Sequence, residues 1–140
     1  MSDQKLSIPL LQDYDGIVDY VESEVCLITD DNANQHVQRQ KFTGLWDTGS
    51  SRSCVRTDII EMLGISFTGR SLISTANGRL RVKTYTISIE LPNGEIIPNL
   101  IVSAANLERN VDVLIGMDVI QKGNFHIDNS SGRTNFSFVI

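Results

Sequence analysis

Eight consecutive residues, Thr84 to Leu91, alternate without a break. Tyr85, Ile87, Ile89 and Leu91 fall on one side, and Thr84, Thr86, Ser88 and Glu90 on the other. A period of two is the backbone geometry of a strand with one buried and one wet face. Asn77-Gly78 precedes this run and Asn93-Gly94 follows it. Asn-Gly is the strongest short-range hairpin signal, because both residues tolerate a positive φ. Pro92 and Pro98 punctuate the second of these turns. An amphipathic strand between two tight turns predicts an antiparallel, mostly β architecture.

The remaining chain agrees. Val25 to Ile28 is an apolar run bounded by the polar cluster TDDNANQ, read as a loop, and Phe42 to Trp46 is a second run, so residues 17–46 read as a long hairpin. TDIIEMLG from Thr57 predicts a short helix. Thr57 or Asp58 would cap it, Ile59, Ile60, Met62 and Leu63 form its apolar stripe, and Gly64 ends it. Val111 to Ile115 is a buried-strand candidate stopped by Gly116, and MDVIQKG fits one or two helical turns ending at Gly123. Asn124–Asp128 and Thr134–Ile140 read as closing strands joined by NSSGR. The fold class expected is all-β with one or two short helices. Residues 1–16 are expected as an N-terminal extension and 17–140 as a single domain.

With 140 residues the chain is long enough for one sizeable core. Twelve Lys and Arg against seventeen Asp and Glu leave a net charge of −5, a sign that argues against a nucleic-acid partner. No apolar run reaches the roughly 18–20 residues of a membrane helix, and the N-terminus lacks the basic and apolar regions of a secretory signal. Cys26, Cys54, His36 and His126 are scattered, without the paired spacing of a metal site, so neither metal nor cofactor is expected. Two thiols without an export signal read as reduced and cytoplasmic, with Cys54 packed as a small hydrophobe.

The segment GLWDTGSSRSCV, Gly44 to Val55, carries the chemistry. An apolar strand delivers Asp47, and a tight turn follows. Gly49 allows the backbone to approach the carboxylate closely. Thr48 and Ser50 add hydroxyls that can orient it. Taken alone, Asp-Thr-Gly also suits an ordinary turn after a strand.

Further segments follow in order. They are Trp46-Asp47-Thr48-Gly49, Ala76-Asn77-Gly78, Leu91-Pro92-Asn93-Gly94, Leu114-Ile115-Gly116-Met117-Asp118 and Phe136-Ser137-Phe138. Together they resemble the retroviral-type aspartic proteases, and more closely the small bacterial single-domain retropepsin-like family, over residues 17–140. One departure is Ser50-Ser51, where bacterial members more often carry Ala-Thr. DTGSS is the pepsin-like form, which bears on working pH.

The resemblance implies a closed acid-protease barrel that acts as an endopeptidase on a peptide or protein substrate. Such chemistry uses two carboxylates that share one proton and a water. A chain with one DTG and no room for two half-domains implies a homodimer, with Asp47 of each copy meeting on a two-fold axis. Thr48 is then implied to bond across that axis, and the terminal strand of Phe136, Phe138 and Ile140 to interleave between subunits. Thr75, Ala76, Asn77 and Gly78 would form a flap over the substrate. Ile115, Gly116 and Asp118 would form a structural motif near the site, with Asp118 capping the helix or meeting its dipole. Ser50 is expected to donate to the Asp47 carboxylate and shift the working pH towards acid. Arg79, Arg81 and Lys83 read as a solvated face that can also favour acidic substrate residues.

Rival readings are weaker. GSSRS is not a serine-hydrolase elbow, because Ser53 stands where the last glycine belongs. VDVLIGMD has no accompanying phosphate-binding loop. A catalytically silent dimeric peptide-binding or assembly module of the same fold is the alternative, since fold does not fix function. A plain barrel scaffold would need Asp47 for stability only.

Overall fold

The computed structural model describes residues 7–31, 36–108 and 110–140. Among them are ten strands and two short helices. The hairpin expected over residues 17–46 is present as β2 (Glu22–Asp31) and β3 (His36–Trp46), paired antiparallel from Glu22↔Leu45 to Asp31↔His36. Its strands run further than the apolar runs suggested. Val25, Leu27 and Thr29 all point inward and are buried, so the strand extends into the polar cluster read as a loop. The tip, residues 32–35, lies outside the described residues.

A six-stranded barrel closes around this hairpin. β3 pairs in parallel with β8 (Val113–Ile115), which lies antiparallel to β4 (Cys54–Arg56). β4 runs parallel to β7 (Ile96–Ala105), and β7 pairs with β6 (Gly78–Glu90). β6 returns to β2 through Cys26↔Glu90, Leu27↔Ile89 and Ile28↔Ser88. Closure gives each of these strands a ladder partner on both sides over part of its length. Leu27, Val55, Ile89, Val102, Val113 and Ile115 fill the interior. β5 (Gly69–Thr75) stands outside the barrel and pairs only with β6, forming a projecting hairpin.

The alternating run lies in β6. Tyr85, Ile87, Ile89 and Leu91 are buried as its period requires, and Thr86 is exposed. Thr84 departs from the wet face and is buried, because β5 begins against it: the Thr68 N–H donates to the Thr84 carbonyl at 2.8 Å. Pro98 is not turn punctuation but lies within β7. Between the pairs Ile87↔Leu100 and Ile89↔Ile97, Pro98 and Asn99 together oppose Ser88 alone, a bulge in which Asn99 takes φ 54°. The bulge accommodates a residue that has no N–H to give the ladder.

The first helix is α1 (Thr57–Leu63). Gly64 ends it in the left-handed conformation at φ 65°, as expected. Its N-cap position is Arg56, without a side-chain cap, so neither Thr57 nor Asp58 caps it. Asp58 instead accepts from Arg56 Nε at 2.6 Å. Met62 leaves the expected stripe and is 59% exposed, since only Ile59, Ile60 and Leu63 face inward. The second helix, α2 (Met117–Ile120), is a single turn.

A second sheet has the order β1 (Leu10–Asp13), β10 (Asn135–Val139), β9 (Asn124–Asp128). Part of the stretch read as an extension is therefore a strand, with Leu10 buried. Phe136 and Phe138 pack on Trp46 at ring distances of 5.3 and 4.9 Å. Trp46 in turn donates its indole N–H to Ser23 Oγ at 2.8 Å. β10 is flanked on both edges by strands of its own chain, and its Phe side chains cover its own barrel. Ile140 is 40% exposed beyond it.

Candidate active site

β3 and β8 run side by side and each ends in a loop, and the two loops are bonded to each other. Asp47 follows the last residue of β3, and its N–H donates to the Ile115 carbonyl at 2.9 Å. Met117 N–H donates to the Ser50 carbonyl at 2.7 Å. The turn after Asp47 thus lies directly on the Gly116-Met117 backbone. A side chain at Gly116 would place its Cβ 2.8 Å from the Ser50 carbonyl oxygen and 2.9 Å from the Arg52 carbonyl carbon. The contact, not a special φ, requires glycine here, since Gly116 has φ −94°.

Asp47 itself is half-buried, with Thr48 and Gly49 exposed beside it. Gly49 N–H donates to Asp47 Oδ1 at 2.8 Å, and Ser50 N–H to the Asp47 carbonyl at 3.2 Å. One carboxylate oxygen is therefore oriented by backbone. The expected bond from Ser50 to that carboxylate is absent: Ser50 Oγ donates to the Arg52 carbonyl at 2.7 Å. The turn curls so that the hydroxyl satisfies its own backbone two residues on. Ser50 therefore gives no ground for an acid-shifted working pH.

Behind the turn, Ser53 and Asp118 form the brace. Ser53 Oγ donates to Asp118 Oδ1 at 2.7 Å and accepts from Gly116 N–H at 3.0 Å, while Ser53 N–H donates to Asp118 Oδ2 at 2.9 Å. Asp118 also accepts from Val119 N–H at 3.0 Å, a local contact in the spirit of the cap expected of it, but its larger work is to hold the Asp47 loop. Ser53 had no positive signal in the sequence. It stands 65 residues from Asp118, and no local pattern links them.

Two cavities open on either side of the turn. Trp46, Asp47 and Thr48 line one of about 340 Å³, together with Tyr20, Phe125 and Ile127. Gly49, Ser50, Arg52 and Cys54 line another of about 430 Å³, roofed by Ser71 and Ile73 of β5. The hairpin β5–β6 therefore covers one flank of the Asp47 turn. Its two strands pair to the end at Thr75↔Gly78, with Ala76 and Asn77 exposed at the tip. The positive φ falls on Gly78, at 112°, rather than on Asn77. The tip does not line the cleft, and the strand leading to it does. That strand was not singled out in the sequence.

Cys54 lies half-buried at the floor of this cleft, its thiol 3.3 Å from Ser103 Oγ. Burial pushes the thiol above its ordinary range, opposed in part by the Ser103 hydrogen bond. The residue is a polar-contacting floor rather than a purely apolar filler. Arg56 anchors the far end of β4 through Asp112 at 2.8 Å, and Asp112 accepts from Thr43 N–H at 2.9 Å. The Arg56 hydrogen bond holds Asp58 below the usual carboxylate range. Among the described residues no cluster of His, Cys, Asp or Glu is placed to hold a metal ion. No helix among them is long and apolar enough to cross a membrane.

Residues 33–122 match the family described as gag-polyprotein putative aspartyl protease. The fold is similar to the crystal structure of a retropepsin-like aspartic protease from Rickettsia conorii, with TM-score 0.58 and 13% identity over 99% of each chain. It is also similar to the solution structure of Simian Foamy Virus (mac) protease, with TM-score 0.49 and 17% identity over 72% of this chain and 92% of that one. No curated protein matches the sequence.

Proposed function

The chain belongs to the gag-polyprotein putative aspartyl protease family, retropepsin-like aspartic proteases, and from that premise we propose that it is an aspartic endopeptidase working as a homodimer. The observation that carries this reading is the setting of Asp47. Its carboxylate is oriented by Gly49 N–H and borders an open cavity with Trp46 and Thr48, while Gly49 and Ser50 of the same turn line the cleft roofed by the hairpin. One such carboxylate is half of the machinery. Two brought close hold one proton between them, so that one is a base while the other is an acid.

In the dimer, the charged Asp47 takes a proton from a water as that water attacks the scissile carbonyl carbon. The protonated Asp47 of the other copy gives its proton to the carbonyl oxygen. The tetrahedral gem-diol then collapses: the C–N bond breaks, the amine leaves with the proton first taken from water, and one diol hydroxyl returns a proton to the second Asp47 as the new C=O forms, which restores the shared proton. The products are one new carboxyl and one new amino terminus. The Gly49 N–H and the Ser53–Asp118 brace keep each carboxylate in place, which spares reorganisation during the reaction.

Exposed apolar groups support pairing on the Thr48 side. Tyr20 is 67% and Ile127 42% exposed there, and β9 has a free edge among the described residues. Ser71 and Ile73 of β5 would meet an extended peptide as a further strand. Residues Thr75 to Gly78 form the tip of this flap, whose movement would admit and enclose substrate.

Cleavage of a mixed peptide library at several pH values, wild type beside Asp47→Asn, tests the proposal. Cleavage by wild type and none by the isosteric variant is expected. Equal cleavage by both removes Asp47 from the chemistry. Peptide binding without cleavage in both leaves only a silent binding module.

A further inference from the structure

We propose that the cleft beneath β5 selects an acidic substrate side chain and that Arg52 is its specificity-determining residue. The inference rests on the endopeptidase reading and names the substrate class of the same site. The residues bounding the cleft include one cation, Arg52, and no carboxylate. Among the described residues Arg52 has no ion pair, in contrast to Arg56, which is held by Asp58 and Asp112. Its own carbonyl accepts from Ser50, which ties the backbone that carries the guanidinium to the Asp47 turn.

The rest of the lining suits a carboxylate as well. Ser71 comes from the inner face of β5, and Ser103 reaches the floor beside Cys54. Burial disfavours ionisation of the Cys54 thiol, so the thiol itself adds no negative charge at neutral pH beside the fields of Asp118 and Asp47 that reach it. A carboxylate entering this space meets hydroxyl donors and one fork of N–H donors, the partners it binds most strongly.

The hairpin above reinforces the sign. Residues 69–84 hold Arg70, Arg79, Arg81 and Lys83 and no acidic residue. Four of the chain's twelve cations sit there, which leaves eight against seventeen carboxylates elsewhere. The register Arg70↔Lys83, Leu72↔Arg81 and Ser74↔Arg79 puts all four on the outer face, where each is exposed. Arg70 and Lys83 share the ring of Phe67, at 5.2 and 4.9 Å from its centroid. A single-sign hairpin on an acidic molecule draws acidic chains towards the cleft it covers, in a salt-dependent manner.

The test uses peptide pairs that differ only by Glu or Gln at each position flanking the scissile bond. At one position wild type should favour Glu by roughly 10–100-fold in kcat/KM, the range of a charge-assisted hydrogen bond. Arg52→Lys should keep a preference for Glu, Arg52→Gln should bring the ratio to about one, and Arg52→Glu should invert it. A Glu preference surviving in Arg52→Glu, or none in wild type, overturns the proposal. The full chain carrying Asp47→Asn gives a readout independent of cleavage, through fluorescence anisotropy of the same labelled peptides. Tighter binding of the Glu peptide, weakened by salt and by Arg52→Glu, is expected there even if wild type cleaves nothing. Equal binding of the Glu and Gln peptides overturns the proposal whatever the enzyme does.

Discussion

Ser53 and Asp118 are bonded twice, hydroxyl to one carboxylate oxygen at 2.7 Å and backbone N–H to the other at 2.9 Å. Ser53 is wholly buried, and its hydroxyl also takes the Gly116 N–H. Three segments, the Asp47 turn, the end of β8 and the start of α2, therefore meet at one side chain. Polar groups buried together in this way are stabilising only while every partner is present.

Asp118→Ala removes both acceptors and strands a buried N–H and a hydroxyl. The expected loss is about 1–3 kcal/mol of unfolding free energy, the usual penalty for an unsatisfied buried group. Asp118→Asn retains one acceptor and should fall between alanine and wild type. Urea unfolding followed through Trp46, the chain's single tryptophan, measures the series. An alanine variant as stable as wild type would show that the brace is ornamental.

Gly116→Ala tests the close crossing of the two loops. The new methyl group would lie 2.8 Å from the Ser50 carbonyl oxygen and 2.9 Å from the Arg52 carbonyl carbon, both backbone atoms. Neither can rotate away, so the Asp47 turn must move. Overpacking of this kind costs about 1–3 kcal/mol, and displacement of the turn should lower cleavage further than the stability change alone would. Full activity at a temperature where the variant remains folded would contradict this.

The strands and turns were legible because their signals are local, whereas closure into a barrel was implied only by the resemblance. The alternation of Thr84 to Leu91, the Asn-Gly turns and the Gly64 helix stop each act within a few residues. The turn that carries Asp47 was legible for the same reason, since strand, acid and glycine are contiguous. Ser53 was not, because its role depends on a carboxylate brought 65 residues by the parallel pairing of β3 with β8. Ser50 misled because a hydroxyl three residues from a carboxylate can also reach its own backbone. The intrachain cover of the terminal strand was hidden for a related reason. An apolar strand must be covered, but its sequence does not say by which chain, and β1 supplied one of its edges. Arg52 carries no motif at all, and only the placement of β5 across from it creates a cleft.

Cys54 gives a pH-dependent prediction. Burial raises its thiol above the ordinary value of 9.0, so the folded state favours the neutral form. That preference stabilises the fold below pH 9.0 and is lost as pH rises through the higher folded-state value. Iodoacetamide should therefore modify Cys54 more slowly at pH 8–9 than a small free thiol, with Cys54→Ser identifying the contribution of Cys26. Ser103→Ala removes the hydrogen bond that favours the thiolate and should slow the reaction again. Faster modification in Ser103→Ala at fixed pH, with the fold intact by circular dichroism, would reverse the assigned sign.

If two copies must each supply one Asp47, activity per chain cannot be constant with dilution. The rate should fall as the square of protein concentration once the dimer dissociates, and in proportion to it above that range. Sedimentation velocity at the same concentrations should place the change of slope at the monomer–dimer midpoint. Tyr20→Glu would put a charge into the exposed apolar surface beside Thr48 and move both midpoints upward together. Mixing wild type with excess Asp47→Asn chains should suppress activity, because mixed dimers carry one carboxylate where the chemistry needs two. A rate strictly proportional to protein through the range where sedimentation finds only monomer would mean that one chain suffices, and the paired-carboxylate mechanism would have to be abandoned.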